Sequence, residues 1–248
     1  MASQTAQCFI GTSGWSYRSW RGPFFPESIP FRLHLEFYAT RFRTAELNGV
    51  FYRTPSIEAV RAWANNTPEE FVFAWKASKF ITHWKRLGPS SKNSLALMES
   101  RLRLLGKKAG PVLFQLPPQF EKETSRFSSF LKRLRQRRPY VFEFRHPSWY
   151  TQEIFDLLRD HQSALCFSDH RDAPAPWEVT APHIYVRAHG PAGDYGGRYA
   201  AKTLSTWAER LSNLQHDGHN VYVYFDNDQK SAAPLDAARL AKMMSRGN

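Results

Sequence analysis

Eight short apolar runs, separated by stretches of helical spacing, predict one parallel eight-stranded (β/α)8 barrel spanning residues 1–248. Two further features agree. A chain of 248 residues suits a single barrel. No Gly-x-Gly-x-x-Gly follows the first run, so an open dinucleotide-binding sheet lacks its main signature.

The runs, at 8–10, 45–47, 71–75, 112–116, 140–144, 164–167, 183–186 and 221–225, have the β-branched and aromatic content of strands. A first helix is read over 33–42. Thr54 and Pro55 then offer a cap and a first-turn proline to a helix with an Ile57, Val60, Ala64 stripe. Leu95, Met98, Leu102 and Leu105 form the next stripe, closed by Gly106. Phe127, Phe130, Leu131 and Leu134 form another, with Lys132, Arg133, Arg135, Arg137 and Arg138 on its outer side. Ile154, Leu157 and Leu158 mark a fifth helix, Leu204, Trp207, Leu211 and Leu214 a sixth, and 235–244 the last. Only the proline-rich segment 171–182 lacks a helical stripe.

Composition narrows the class. Hydrophobic residues at 42% supply a core, which argues against long disorder. No apolar run reaches the ~18 residues a membrane span needs, and the first residues lack a charged segment followed by an apolar one, so a cytoplasmic protein without membrane contact is expected. Cys8 and Cys166 sit in apolar runs outside any Cys-x-x-Cys pair and read as core residues. The formal charge of +12 attracts anionic metabolites or polyanions, which keeps nucleic acid open as a partner.

In such barrels ligands meet the C-terminal ends of the strands. Alternation along a strand separates the residues aimed at the axis from those aimed at the helices. In the segment Val141 to Trp149 it puts Val141, Glu143 and Arg145 on one face, Phe142, Phe144 and His146 on the other. Applied to the other strands, it brings Ser13, Glu46, Asn48, Lys76, Gln115, Arg187 and His189 to the same mouth. Asp169 follows the sixth strand; Asp226, Asn227 and Asp228 follow the eighth, where the facing register is ambiguous. Ionised side chains are seldom buried without a partner or a task. A network of ion pairs holding the barrel top is one reading of the set, and a binding site is the other.

Two loops bear on that choice. The glycine-rich loop from His189 to Tyr199 offers backbone amides to an anion. The loop after the third strand interleaves Lys79, His83, Lys85 and Arg86 with Trp84, a pattern suited to phosphate contact and ring stacking.

Taken in order, Ile10-Gly-Thr-Ser-Gly-Trp15, Glu46-Leu-Asn48 with Phe51-Tyr52, Lys76 with Ile81-Thr-His83, Phe114-Gln-Leu-Pro-Pro118, Glu143-Phe-Arg-His-Pro-Ser-Trp149, Arg187-Ala-His-Gly190 and Tyr224-Phe-Asp-Asn-Asp228 resemble the domain of unknown function 72 family, also called YecE-like. The resemblance runs from first strand to last. It implies a TIM barrel and a cytosolic protein, and its recurring polar positions fall on Glu46, Lys76, Gln115, Glu143, Arg145, Asp169, Arg187, His189 and Asn227. The chain departs from the pattern at Gly49, where a hydroxyl residue is usual, and at Asp226, where an asparagine is usual.

Three functions follow as expectations. In the first, Lys76, Arg145 and Arg187, with Ser13, Asn48, Gln115, Asp169 and Asn227, bind a small anionic or phosphate-containing ligand; Glu46 and Glu143 act as acid or base and His189 moves a proton. No cofactor is required. In the second, Glu46, Glu143, Asp169, His189 and Asp226 hold a divalent metal for an isomerase or phosphodiesterase. In the third, the basic helix face and the loop around Lys85 bind nucleic acid without catalysis.

Overall fold

All eight apolar runs become strands of one parallel sheet in the computed structural model, which describes residues 6–134 and 138–245. They are β1 (Cys8–Thr12), β2 (Thr44–Leu47), β3 (Val72–Lys76), β4 (Ala109–Gln115), β5 (Tyr140–Glu143), β6 (Ala164–Ser168), β7 (His183–Ala188) and β8 (Asn220–Phe225). Their order, β1-β8-β7-β6-β5-β4-β3-β2, leaves β1 and β2 to close a barrel. They do so at the mouth end, where Ser13 bridges to Glu46 and the Gly14 amide donates to the Glu46 carbonyl at 2.8 Å. Gly11 makes that approach possible, since a Cβ there would stand 2.2 Å from the Thr44 carbonyl oxygen.

Seven helices occupy the described connections: α1 (His34–Ala39), α2 (Ile57–Asn65), α3 (Lys92–Leu102), α4 (Thr124–Leu131), α5 (Gln152–Asp160), α6 (Ala201–His216) and α7 (Ala232–Met244). Segment 171–182, between β6 and β7, carries no helix, as its prolines predict. Two local expectations shift. Ser56, not Thr54, caps α2, because its extended backbone lets Oγ accept from the Ala59 amide at 3.1 Å. α4 ends at Leu131, so Lys132 and Arg133 of the basic run lie in the turn beyond the helix. There Arg133 donates to the Leu87 and Gly88 carbonyls, while Arg138 pairs with Glu99 at 3.3 Å. Arg135 and Arg137 lie outside the described residues.

Alternation sorts the strands' side chains into two apolar layers. Phe142 and Phe144 face outward and pack with Phe127, Phe130 and Trp149 beneath the helices; the Phe144 and Trp149 rings stack at 4.8 Å. Val141 faces inward with Phe9, Ala74, Leu113, Cys166, Tyr185, Tyr222 and Tyr224. Cys8 and Cys166 are free thiols. Above that inner layer the next inward positions are polar. Among the described residues, no helix is long and apolar enough to cross a membrane.

Candidate functional site

Arg187 stands at the centre of the mouth's floor and is fully buried. Its Nε and Nη2 donate to Glu46 Oε2 and Oε1 at 3.1 and 2.9 Å. Nη1 reaches Glu143 Oε2 at 2.9 Å, and Nη2 reaches Asp226 Oδ2 at 2.7 Å. With Ser13 Oγ at 3.3 Å from Nη2 and His189 Nε2 at 3.1 Å from Nη1, the five N–H donors of the guanidinium are spent. Glu46 is enclosed just as completely, since Ser13 and Tyr185 each donate a hydroxyl to it at 2.6 Å. Burial opposes the charge on Arg187, yet the carboxylates of Glu46, Glu143 and Asp226 hold it protonated well above the ordinary arginine range.

Arg145, two residues beyond Glu143 on the same face, donates Nε to Glu143 Oε1 at 2.5 Å. Burial alone would raise the Glu143 carboxyl. The guanidinium groups of Arg145 and Arg187, with Lys76, overcome it and hold the carboxyl far below the usual range. Arg145 Nη1 donates to the Tyr195 hydroxyl at 3.0 Å, and Nη2 lies 2.9 Å from His189 Nε2. Guanidinium nitrogens only donate, so Nε2 accepts from both arginines and the ring proton belongs on Nδ1, 3.3 Å from Asp169 Oδ1. Asp169 is fixed in turn by the His189 amide at 2.7 Å and by the Tyr199 hydroxyl.

Three amides of the glycine-rich loop are spent within it. Gly193 N donates to Gly190 O at 2.8 Å, Tyr195 N to His189 O at 2.5 Å and Gly190 N to the Tyr199 hydroxyl at 2.7 Å. Gly190 has φ +95°, and a Cβ there would stand 2.1 Å from the Gly196 carbonyl oxygen, so the fold-back needs glycine. The loop's contribution is to bring Tyr195 onto Arg145.

The β3 side differs. Lys76 is buried, with Nζ 3.3 Å from Asn48 Oδ1 and 4.6 Å from the centre of the Phe51 ring. Among the described residues no carboxylate oxygen lies within 4.0 Å of it, which leaves two of its three donors unspent. Burial, followed by the Arg187 charge, pushes its pKa down to about 8. His83, half-buried nearby, is pushed down to about 4 by burial and by Lys76, Lys79 and Arg145. Gln115 closes β4 on the same side, half-exposed, and its amide makes no hydrogen bond to another described residue.

Across the mouth the β8 register resolves. Asp226 points inward to Arg187, whereas Asn227 points outward and donates to Gly197 O at 2.8 Å and Asp236 Oδ2 at 3.1 Å, tying the β7 loop to α7. Asp228 returns to the mouth rim beside Tyr17. Burial and the neighbouring Asp226 charge raise its carboxyl to about 8, and its Oδ1 is buried without a partner.

The mouth thus gathers Ser13, Glu46, Asn48, Lys76, Gln115, Glu143, Arg145, Asp169, Arg187 and His189, and it leaves out Asn227. Glu46, Glu143 and His189, expected to do acid–base work, have no exposed surface and are held by the two arginines. Ser168, whose Oγ lies 3.4 Å from Glu143 Oε1, was open to detection as the third inward position of β6 after Ala164 and Cys166. Tyr195 and Asp228 were not, because loop geometry brings them in. For the metal alternative, the described residues offer no group of three or more His, Cys, Asp or Glu side chains able to hold an ion. Glu46, Glu143 and Asp226 surround the Arg187 guanidinium instead.

Fold and mouth together define a TIM-barrel protein with a buried ion cluster at the C-terminal ends of its strands. The family model described as protein of unknown function DUF72 matches residues 9–248, and the chain belongs to that family. It is similar to the UPF0759 protein YunF of Bacillus subtilis, 26% identical over 95% of this chain and 94% of that one. The UPF0759 protein YecE of Escherichia coli is 28% identical over 58% of this chain and 50% of its own length. The crystal structure of a DUF72 family protein from Thermotoga maritima superposes with a TM-score of 0.87 at 26% identity, covering 96% of this chain and 99% of that one.

Proposed function

We propose that the mouth binds a small anionic ligand, a phosphate or phosphorylated compound, on its β3 to β5 side. Lys76 carries the reading: a buried amine without a carboxylate contact among the described residues, with two donors unspent. Gln115 adds an unspent amide, and Arg145 has two of its five N–H groups left after Glu143, Tyr195 and His189. An anion there would supply the charge that desolvation of Lys76 demands, and most of its affinity would come from that balance. Arg187, with every donor taken, positions Glu46, Glu143 and Asp226 instead of touching the ligand. Asn48 orients Lys76, and Ser13 and Asp169 fix Glu46 and His189.

The opposite rim gives the reading a chemical direction. Burial and the Asp226 charge raise the Asp228 carboxyl to about 8, which offers the mouth a rim carboxyl able to donate a proton near neutral pH.

Calorimetric titration with inorganic phosphate, sugar phosphates and short oligonucleotides tests this in the wild type, Lys76→Met and Arg145→Ala. The best ligand should bind at least about 10-fold more weakly to Lys76→Met, since a hydrogen bond to a charged group contributes ~1.5–3 kcal/mol. Unchanged affinity in both variants would sink the proposal.

A further inference from the structure

A cleft of about 1000 Å³ lies beside the floor of the mouth, between the loops after β1 and β2 and the start of α2. Trp15, Tyr17, Tyr52 and Trp63 give it flat unsaturated walls. The Trp15 and Trp63 rings meet edge to face at 5.8 Å, which fixes both, and Tyr52, packed edge to face on Phe51 at 4.9 Å, is still 74% exposed and keeps a face open to a guest. Arg53 and Arg101 are the charged groups among the described lining residues, and no carboxylate lines the cleft. Arg53 makes no ion pair within the described chain; Arg101 has Nε on the Pro55 carbonyl at 3.0 Å and Nη1 on Ser100 Oγ at 3.3 Å, which leaves Nη2 unspent. The cleft and the mouth share Asn48. Asn48 lines the cleft and at the same time accepts from Lys76 Nζ, so a molecule lying in the cleft can reach Lys76 with one end.

We propose that this cleft holds the base and sugar of a nucleoside phosphate whose phosphate meets Lys76. The occupant must pair a flat ring system with negative charge, because the walls are aromatic and the charges are all positive. It must also be about the size of a mononucleotide, since a cleft of this volume is at the upper end for one small ligand. Those three demands, a flat ring, an anion and a span from Tyr52 to Lys76, coincide in a nucleoside phosphate. It is supplied either as a free nucleotide or as one residue of a single strand.

The inference rests on the mouth reading for the phosphate end only. Titrations with inorganic phosphate, ribose 5-phosphate, adenosine, AMP and a short single-stranded oligoadenylate separate the parts, run on wild type, Tyr52→Ala, Arg53→Ala and Lys76→Met. Tyr52 and Arg53 are exposed, and unchanged thermal melting of their variants shows that any loss is not unfolding. AMP is expected to bind at least about 5-fold more tightly than ribose 5-phosphate, the lower end of what one base stacked on an aromatic ring contributes. Tyr52→Ala should remove most of that gain and leave ribose 5-phosphate unaffected. If AMP gains nothing over ribose 5-phosphate, or if the gain survives both Tyr52→Ala and Arg53→Ala, the cleft is not the base site and the proposal is overturned. Adenosine binding that depends on Tyr52, with no dependence of AMP on Lys76, would keep the cleft and remove the mouth reading instead. Oligoadenylate binding more tightly than AMP, with affinity falling steeply as salt rises, assigns the nucleotide to a strand; equal affinity assigns it to a free nucleotide.

Discussion

Arg187 and Lys76 sit on inward positions of the same barrel mouth, both buried, and they are satisfied in opposite ways. Arg187 gives its donors to three carboxylates, Ser13 and His189. Lys76 has a single hydrogen bond, to Asn48, and a ring beneath it. The difference separates a charge whose solvation the protein has replaced from one it has left incomplete. The first ties three strands of the barrel top together, and the second is the group on which the proposed anion site rests. Burial by itself cannot tell them apart. Counting donors against acceptors can.

The comparison is broken most directly at Arg187. Arg187→Met leaves Glu46, Glu143 and Asp226 buried without their cation and should cost about 3–5 kcal/mol in denaturant unfolding. Adding Glu46→Gln should return part of that loss, and a single variant as stable as wild type would show that the cluster is not held by its arginine.

Lys76→Met should act in the other direction. Its amine has a folded pKa of about 8, below that of the unfolded chain, so the unfolded state binds the proton more tightly between about pH 8 and 10.4. Wild-type stability therefore gains as pH rises through that window, by about 3 kcal/mol from this group, and the variant should lack the gain while being more stable at pH 7. Unfolding curves at pH 7 and pH 10 measure both. Equal pH slopes in the two proteins would mean that Lys76 is solvated after all.

Asp228 supplies an effect of opposite sign with pH. Its folded pKa of about 8 lies above the unfolded value, so its contribution is present at low pH and is lost as pH rises from about 4 to 8. Asp228→Asn should abolish that loss and gain up to about 4 kcal/mol on wild type between pH 5 and pH 8, as read from melting curves. The smallest effect belongs to Tyr195→Phe. Removing one hydroxyl from Arg145 at a half-exposed position should cost about 1 kcal/mol, and it frees an N–H that strengthens phosphate binding slightly.

Much of this arrangement was legible before any coordinates. The alternation of Val141, Glu143 and Arg145 against Phe142 and Phe144 places the first set inside and the second under the helices, as found. A strand has a period of two, and the rule holds wherever the strand continues. It stops where the chain leaves the sheet. Asp226, Asn227 and Asp228 follow β8, and there only the fold decides that the first and third face the mouth while the second faces α7. The basic run after Phe127 misled for a related reason. Its charges suit a helix surface, but α4 ends at Leu131, and tertiary partners take Arg133 and Arg138.

By itself, the sequence determined the barrel, its inward polar positions and the family, because these depend on short-range periodicity and on motifs in order. Only the tertiary structure decided which charges spend themselves on each other. Glu46, Glu143, Arg187 and Asp226 lie far apart in the chain, and whether a donor meets an acceptor depends on distances of a few tenths of an ångström between different strands. That is why the sequence ranked Arg187 and Lys76 alike, and the folded chain set them apart.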